Sequence, residues 1–360
     1  MINVTKTFLP PFEEYTAMLK RAWDKAWITN NGELVQELEQ KLKEYLGVKH
    51  LLFCNNGTVV LQMALKALKI TGEVITTPFS YVATTTAILW ENCTPVFVDI
   101  NETDFCINAS KIEAAITSKT QAILATHVYG CPCDVDAIER IAQKYKLKVI
   151  YDGAHAFGTG YKNRSLLSYG DISTCSFHAT KVFHTGEGGC IITNDDETAR
   201  QLLLYRQFGH IGDDYYSMGI NGKSSELHAA MGLCNLTYID NILQSRKDQW
   251  LYYQTLLKGS AIQLLQLHAG LEYNYSYFPV VFENEEELLK TVAALKARQI
   301  IPRRYFYPSL NRLDYVTYKS CPVSESIAAR VLCLPLFYDL NKEAQQSIAQ
   351  ILLQQQNQVI

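Results

Sequence analysis

The chain has 360 residues, of which 48% are hydrophobic and 19% charged, a composition typical of a globular protein. Its 33 Lys and Arg against 36 Asp and Glu give a net charge of −3, so the composition offers no electrostatic basis for binding nucleic acid. The sequence has no run of about 18 apolar residues, and its first residues lack a signal-peptide pattern. We therefore expect no nucleic-acid partner, no membrane span and a cytoplasmic location.

The ten cysteines are scattered along the chain, mostly in apolar stretches, where cysteine usually behaves as a small hydrophobic side chain. Cys131 and Cys133 form a close pair in "GCPCD", but no second pair follows at the spacing of a zinc finger. A large cytosolic chain also does not favour disulfides. We predict no metal site and no structural disulfide.

Strand-like and helix-like segments alternate in the first two thirds of the chain. Segments with helical spacing are "ELVQELEQKLKEYLG", "GTVVLQMALKAL", "YVATTTAILWE", "NASKIEAAI" and "CDVDAIERIAQKY". Strands that are near-continuously apolar are predicted at "KHLLFC", "EVITTP", "TPVFVDI", "TQAILATHVYG", "KLKVIYD", "DISTCSFHA" and "GGCIITN". This alternation predicts an α/β fold with a parallel or mostly parallel sheet, covered by helices on both faces.

The pattern changes after about residue 225. A long, mainly helical stretch follows, and "YFPVVFENEEELLKTVAALKARQI" is typical of a strand followed by a helix. We predict a large domain over residues 1–240, which includes an N-terminal substrate segment, and a smaller C-terminal α+β domain over residues 241–360.

Ligands of such sheets bind at the carboxyl ends of the strands, and three strand ends carry polar groups. Gly57 and Thr58 stand where a strand turns into a helix, which is either a phosphate site or a simple capped turn. Asp152 ends a buried strand, where an acid needs a cation or donors unless it only caps a loop. His155 follows on the same loop and, taken alone, is typical of a histidine satisfied by the loop itself.

The third strand end is "CSFHATKVFHTGEGG", which holds Ser176 and Lys181. A lone lysine is usually a surface charge, but a partly desolvated lysine has a lowered pKa and can act as a nucleophile or base. Pyridoxal phosphate requires a lysine for its Schiff base, a carboxylate at its pyridine nitrogen, and amides and hydroxyls at its phosphate. The three strand ends together therefore predict a pyridoxal phosphate site.

Ordered segments along almost the whole chain resemble the DegT/StrS sugar aminotransferases. The segments that carry the resemblance are "WITNNGELVQELEQKLKEYLGVKH", "NNGTVVLQMAL", "TTPFSYVATTTAILWENCTPVFVDI", "THVYGCPCDVDAI", "YDGAHAFG", "SFHATKVFHTGEGG", "GINGKSSELHAAMG", "RRYFYPSL" and "VLCLPLFYDL". The resemblance implies a fold-type I pyridoxal phosphate enzyme, with a mostly parallel sheet of the seven-stranded type between helices in the large domain.

The resemblance also implies a role for each cofactor residue. Lys181 would bind the cofactor covalently, Asp152 would pair with the pyridine nitrogen, and His155 would lie beside the phenolic oxygen. Tyr81 would stack on the face of the ring. The residues implied at the phosphate are Gly57, Thr58, Ser176 and, from the neighbouring subunit, Asn221. The contribution of a second subunit implies a homodimer with active sites at the subunit interface.

Fewer features indicate the substrate residues. The residues implied there are Thr29, Asn30, His178, Glu187, Tyr305 and Tyr307. Glu187 would line the sugar pocket or form a structural turn that supports the lysine loop, and His178 and His184 would be pocket wall or core.

Two positions depart from the family pattern. Lys223 stands where many members have an arginine, and the two residue types are not equivalent. Asn56 stands where a serine hydroxyl often helps to bind the phosphate, although an asparagine can donate through its amide.

The implied reaction moves an amino group from L-glutamate to a dTDP-linked keto-6-deoxysugar. Segments such as "TKTFLPP" and "GINGKSSELHAAMGL" are most similar to members that aminate dTDP-4-keto-6-deoxyglucose for surface polysaccharide or lipopolysaccharide O-antigen. Amination at position 3 of a 3-keto sugar stays open. Dehydratase relatives carry histidine in place of Lys181, and a non-catalytic regulatory relative would not need Asp152, His155 and Lys181 together, so we disfavour both alternatives.

Overall fold

The computed structural model describes residues 1–357 of the chain. Its α-helices, in chain order, are α1 (Phe12–Asp24), α2 (Glu33–Leu46), α3 (Gly57–Ala67), α4 (Val82–Trp90), α5 (Val135–Tyr145), α6 (Asp196–Arg206), α7 (Glu226–Thr237), α8 (Ile239–Leu256), α9 (Glu285–Ala297), α10 (Pro322–Arg330) and α11 (Lys342–Asn357). Short 3₁₀ helices lie at Ala109–Lys111, Glu113–Ala115, Val128–Gly130, Leu166–Ser168 and Leu310–Arg312.

The β-strands, in chain order, are β1 (Ile2–Asn3), β2 (His50–Cys54), β3 (Glu73–Thr76), β4 (Thr94–Phe97), β5 (Thr120–Thr126), β6 (Lys148–Asp152), β7 (Gly160–Tyr161), β8 (Arg164–Ser165), β9 (Ile172–Ser176), β10 (Gly189–Thr193), β11 (His210–Ile211), β12 (Asp214–Tyr215), β13 (Gln263–Leu264), β14 (Phe278–Val281), β15 (Ile300–Ile301) and β16 (Val331–Leu334).

A seven-stranded sheet forms the centre of the molecule, in the order β2-β10-β9-β6-β5-β3-β4. β10 is antiparallel to both of its neighbours, and the other neighbouring pairs are parallel. Successive residues of β5 bury on opposite faces: Ile123 joins the apolar cluster of α2, α5 and α7, and Leu124 joins that of α3 and α4. The predicted mostly parallel sheet with helices on both faces is therefore confirmed.

A second, three-stranded antiparallel sheet lies in the C-terminal part, in the order β13-β14-β16. Helix α11 packs against both α8 and α9 in this part of the chain, as expected for a small α+β unit. The N-terminal strand β1 joins this part of the chain, because Ile2 pairs in parallel with Ile300 of β15. The predicted boundary at residue 240 falls at the start of α8, and the division itself stays a prediction.

One predicted helix is wrong. The segment "NASKIEAAI" forms two short 3₁₀ helices, in which the N–H of Ile112 bonds to Ala109 (3.2 Å) and the N–H of Ala115 bonds to Ile112 (2.9 Å). Asn108 does cap the segment, since its side-chain oxygen accepts the N–H of Ser110 at 3.0 Å. The chain is extended again at Ile116 (ψ 132°), so too few residues follow the cap to recover the cost of nucleating an α-helix.

All ten cysteines lie within the described residues as buried free thiols, in agreement with the predicted absence of structural disulfides. Within residues 1–357, none of the helices combines the length and the apolar character that a membrane crossing requires.

A buried ion pair bonds to the backbone of β2, at the edge of the central sheet. Glu39 of α2 accepts the N–H of Phe53 (2.7 Å), and Arg206 of α6 donates to the Phe53 carbonyl (2.9 Å) while also contacting Glu39. Both backbone groups of this edge residue are thereby satisfied. The pair fixes the end of β2, from which the chain turns into α3.

We expect Glu39→Ala to lower the free energy of unfolding by about 3–5 kcal/mol, because it leaves the Arg206 charge buried without its partner. Glu44→Ala, at an exposed position of the same helix, is the matched control and should change stability little. Urea denaturation of both variants measures the difference. Equal stability of the two variants would contradict a role of the pair in holding β2.

Candidate active site

A cleft of about 240 Å³ opens at the carboxyl ends of β2, β6 and β9. Most of the predicted site residues line it, namely Gly57, Thr58, Tyr81, Asp152, His155, Ser176, His178, Lys181, Glu187 and Tyr305. The register of the sheet brings them together, because Asp152 at the end of β6 pairs with Thr174 on β9, two residues before Ser176. The strand-end rule therefore locates the site.

The start of α3 approaches the end of β9 closely. A Cβ at Gly57 would lie 2.7 Å from the Cβ of Ser176, so only glycine allows this approach. Thr58 lies beside it and places a second hydroxyl on the same wall of the cleft. The side-chain oxygen of Asn56 accepts the N–H groups of Thr58 and Val59, each at 2.9 Å, and so caps the helix, which leaves the side-chain NH2 group able to donate.

Asp152 lies on the floor of the cleft with 5% of its surface exposed. Its Oδ2 accepts the hydroxyl of Thr84 on α4 at 2.6 Å, and its Oδ1 accepts the N–H of Ala154 at 3.0 Å. Burial of an acid is costly unless donors satisfy it, and these two bonds hold one oxygen each. The remaining lone pairs of the carboxylate are free for a cationic group in the cleft.

Lys181 lies half-buried in the turn after β9, where its N–H donates to the carbonyl of His178 at 2.9 Å. Burial lowers the pKa of Lys181, although Tyr305 and Asp152 favour its charged form. A lowered pKa increases the fraction of neutral amine at pH 7, and the neutral amine is the nucleophilic and basic form.

His155 is buried beside Lys181 and is held in one tautomer. Its Nδ1 faces the N–H of Tyr129 at 3.2 Å, and because a backbone N–H can only donate, the ring proton belongs on Nε2. Burial, followed by the nearby charge of Lys181, lowers the pKa of His155 well below its usual value. The ring stacks parallel to Phe306 (centroids 5.6 Å apart) and contacts Tyr277 at 4.7 Å. His155 is therefore a neutral, fixed N–H donor.

The C-terminal part adds cleft residues that sequence reasoning missed, Tyr277, Arg303 and Phe306. Arg304 lies 2.7 Å from Glu285, whereas Arg303 has no carboxylate partner within residues 1–357 and stacks 4.8 Å from the centre of the Tyr305 ring. The motif "RRYFYPSL" contains two adjacent arginines, and the sequence alone does not tell which of them lies at the cleft.

Four predicted residues do not line this cleft. Thr29 and Asn30 are exposed on the segment before α2, and Tyr307 lies under the guanidinium of Arg304 at 3.5 Å. Asn221 lies beside the edge strand, where its carbonyl accepts the side-chain amide of Asn55 at 3.2 Å. Their predicted roles therefore depend on surfaces outside the cleft of a single chain.

The two histidines that flank the lysine differ in position. His184 is buried, and its ring bonds to the Phe8 carbonyl (2.6 Å) and to the N–H of Gly186 (3.1 Å), which makes it a core residue. His178 lies at the rim of the cleft with its Nε2 3.6 Å from Glu187, and the two side chains are 46% and 59% exposed. Only His178 can reach a ligand in the cleft.

The chain is similar to known proteins along almost its whole length. Residues 12–353 match the DegT/DnrJ/EryC1/StrS aminotransferase family. The chain is 42% identical to a dTDP-4-amino-4,6-dideoxy-D-glucose transaminase of Escherichia coli over 98% of both chains, and 43% identical to one of Shigella dysenteriae over 95% of both. It superposes with a TM-score of 0.93 on the structure of DesI in the presence of its TDP-sugar product, at 29% identity, over 98% of this chain and 92% of that one.

The residues of the cleft fit pyridoxal phosphate. Asp152 offers a fixed carboxylate for a protonated pyridine nitrogen, and Lys181 offers the amine for covalent attachment. The close approach at Gly57, which a Cβ would block, leaves the hydroxyls of Thr58 and Ser176 together beside a helix N-terminus for the phosphate. The chain belongs to the DegT/DnrJ/EryC1/StrS aminotransferase family and is a pyridoxal phosphate-dependent transaminase.

Proposed function

We propose that the protein transfers the amino group of L-glutamate to carbon 4 of dTDP-4-keto-6-deoxyglucose. The product, dTDP-4-amino-4,6-dideoxyglucose, would serve surface polysaccharide or lipopolysaccharide O-antigen synthesis in the cytoplasm. The observation that carries this proposal is the 42% and 43% identity, over nearly the full length, to two transaminases named for that sugar.

The arrangement of Lys181 and Asp152 supports transamination. Bound pyridoxal phosphate supplies an electron sink for the charge that develops when a proton leaves the α-carbon of the donor. Lys181 Nζ takes that proton, and in the second half-reaction it delivers a proton to the sugar carbon that receives the amine. Because burial lowers the pKa of Lys181, the neutral amine needed for the first transfer is more populated near neutral pH. Asp152 would hold the protonated ring nitrogen through the lone pairs that Thr84 and Ala154 leave free.

His155 supports the same reaction from the side of the ring. Its lowered pKa keeps the imidazole neutral, so it adds no positive charge beside Lys181. Its Nε2–H can donate to the phenolic oxygen of the cofactor, and the stacking with Phe306 together with the tilted contact with Tyr277 prevents the imidazole from turning away. These aromatic side chains also exclude water from the side of the cleft where the proton moves.

Arg303 supports an amino-acid donor. Its backbone is fixed by a pair of bonds to Cys333 (2.8 and 3.3 Å), so the guanidinium is held over Tyr305 at the cleft. An unpaired guanidinium offers planar, paired donors that match a carboxylate. The α-carboxylate of the donor is bonded to the carbon that Lys181 deprotonates, and both Lys181 and Arg303 act electrostatically on Tyr305. We infer that Arg303 binds this carboxylate.

The rim of the cleft supports binding of a sugar. Glu187 can accept hydrogen bonds from sugar hydroxyls, and His178, 3.6 Å away, can either donate to a hydroxyl or hold Glu187. The nucleotide attached to the sugar would extend past this rim, out of the cleft. We assign it to the exposed residues outside, Thr29, Asn30 and Tyr307.

An exposed apolar surface supports a homodimer. This hairpin surface comprises Phe208, Ile211, Tyr215, Tyr216, Met218 and Ile220, which are 46–77% exposed, together with Trp90 at 77%. Apolar side chains clustered in this way usually mark a protein–protein interface. Asn221 follows the surface directly, so a second copy that covers it would approach with its own Asn221. The dimer would thereby complete the phosphate site that each chain leaves open.

The reaction itself is tested with pyridoxal phosphate, L-glutamate and dTDP-4-keto-6-deoxyglucose. We expect an amino sugar whose amine NMR places on carbon 4, with one 2-oxoglutarate released for each product. Lys181→Ala should lower the rate by at least about 10²-fold, because it removes the base. An amine on carbon 3, a deoxygenated product that identifies a dehydratase, or no reaction with this sugar would each contradict the proposed substrate.

Arg303→Gln should raise the KM for glutamate roughly 10- to 100-fold, the value of a lost hydrogen-bonded charge pair, and leave the KM for the keto sugar nearly unchanged. Steady-state kinetics with each substrate varied in turn measures this split. Arg298→Gln removes another exposed arginine, at the end of α9, and is the control. A rise confined to the KM for the sugar would assign Arg303 to the nucleotide diphosphate instead.

Met218→Asp should convert the protein from dimer to monomer, because it places a charge within the hairpin surface. Sedimentation velocity measures the change, and Leu289→Asp, at a similarly exposed apolar position on α9, should leave the dimer intact. We also expect the monomer to bind pyridoxal phosphate more weakly. A wild-type protein that sediments as a monomer, or a Met218→Asp protein that remains a dimer, would refute the assigned interface.

A further inference from the structure

Three buried hydroxyls form a chain behind the carboxylate of Asp152. Thr84 Oγ1 lies 2.6 Å from Asp152 Oδ2, Ser80 Oγ lies 2.7 Å from Thr84 Oγ1, and Thr126 Oγ1 lies 2.9 Å from Ser80 Oγ. All three residues are at most 3% exposed. They come from α4, from the loop before it and from the end of β5, so the chain joins three elements at one carboxylate.

The direction of these hydrogen bonds is fixed by the carboxylate. Thr84 donates its only proton to Asp152, so its oxygen must accept the proton of Ser80. By the same reasoning the oxygen of Ser80 accepts the proton of Thr126. All three hydroxyl dipoles point toward Asp152, and hydrogen bonds aligned in this way polarise and strengthen one another.

The second oxygen of the carboxylate is held independently. Oδ1 accepts the N–H of Ala154 at 3.0 Å, on the loop that carries His155. A carboxylate with one donor could rotate about its Cβ–Cγ bond, whereas donors on both oxygens fix its plane. The hydroxyl chain therefore orients Asp152 through a side chain, and the N–H of Ala154 orients it through the backbone.

We propose that Thr84, supported by Ser80 and Thr126, is a positioning residue that fixes Asp152 against the pyridine nitrogen of the cofactor and so keeps that nitrogen protonated. The inference rests on the proposed function only through the cofactor, and it does not depend on which sugar or donor is used. Protonation of its ring nitrogen makes the cofactor a stronger electron sink, so Thr84 would contribute to the reaction without touching the substrate.

Helix α4 contains a matched control. Thr85, the next residue, is also fully buried, but within the described residues its hydroxyl has no hydrogen-bond partner. Thr84→Val and Thr85→Val make the same chemical change at adjacent positions, and only the first removes a donor from Asp152. Thr84→Ser keeps the hydroxyl and loses only a methyl group.

The test uses pyridoxal phosphate labelled with ¹⁵N in its ring, bound to each full-length variant. We expect the ring ¹⁵N signal of Thr84→Val to shift toward the value of a neutral pyridine, and the Kd for the cofactor, measured by equilibrium dialysis, to rise roughly 10-fold. Thr84→Ser and Thr85→Val should resemble the wild type in both measurements. Ser80→Ala should give a smaller shift of the signal in the same direction, and it replaces Thr84→Val if that variant does not fold.

A Thr84→Val protein that folds less stably but keeps the wild-type ¹⁵N signal would overturn the proposal, since Thr84 would then be only structural. An unchanged ¹⁵N signal in Ser80→Ala would likewise show that Ser80 and Thr126 do not support Thr84 in positioning Asp152. A wild-type protein that turned over a different sugar would refute the proposed function while leaving these spectra as predicted.

Discussion

The register of the central sheet is the constraint on which the site depends. Backbone pairing sets Thr126 opposite Asp152 and Asp152 opposite Thr174, while Gly189 is opposite both Ser176 and Cys54. A slip of one residue would turn Asp152 to the other face of the sheet. The floor of the cleft and the hydroxyl beside α3 are thus placed by main-chain hydrogen bonds, before any functional side chain interacts with another. The antiparallel β10 contributes by beginning at a glycine, since a Cβ at Gly189 would lie 2.7 Å from the Asn56 carbonyl.

The main residues that line the cleft could be predicted because parallel strands leave a clear signal. Their interiors are continuously apolar, so a polar residue at the end, such as Asp152, stands out and marks the edge where ligands bind. The prediction that Lys181 lies in the cleft rested on the same argument, because Lys181 follows the neighbouring strand β9. The sheet, the helices on both faces and the C-terminal α+β unit followed from the same periodicity. The assignment to a family rested on the order of many motifs, which no single strand end supplies.

Other parts of the site carry no such signal. Three consecutive threonines of α4 look equivalent in the sequence, yet Thr84 donates to Asp152, Thr85 has no partner within the described residues, and Thr86 bonds to the carbonyl of Val82. Their difference comes from the rotation of α4 against the sheet, which is a property of tertiary packing. Arg303 and Arg304 differ for the same reason, because a bridge between Arg303 and Cys333 decides which guanidinium faces the cleft.

Functional groups of the cleft share one feature: hydrogen bonds from the surrounding protein fix their orientation. The N–H of Tyr129 fixes His155, and the N–H of Ala154 fixes one oxygen of Asp152. Groups that are already oriented need little reorganisation when charge develops during the reaction, which is the main electrostatic advantage of an enzyme over water. The lowered pKa of Lys181 and the neutrality of His155 both come from the burial that this arrangement creates.

The N-terminal segment connects two distant parts of this arrangement. Ile2 pairs with β15, the Val4 carbonyl accepts the N–H of Leu336 at 3.1 Å, and the Phe8 carbonyl accepts the ring N–H of His184, three residues after Lys181. Anyone who produces this protein therefore faces a choice of where to attach an affinity tag. A tag or truncation at the amino end acts on a segment anchored to the lysine loop, so an enzyme preparation with unexpectedly low cofactor occupancy should first be remade with that end unaltered.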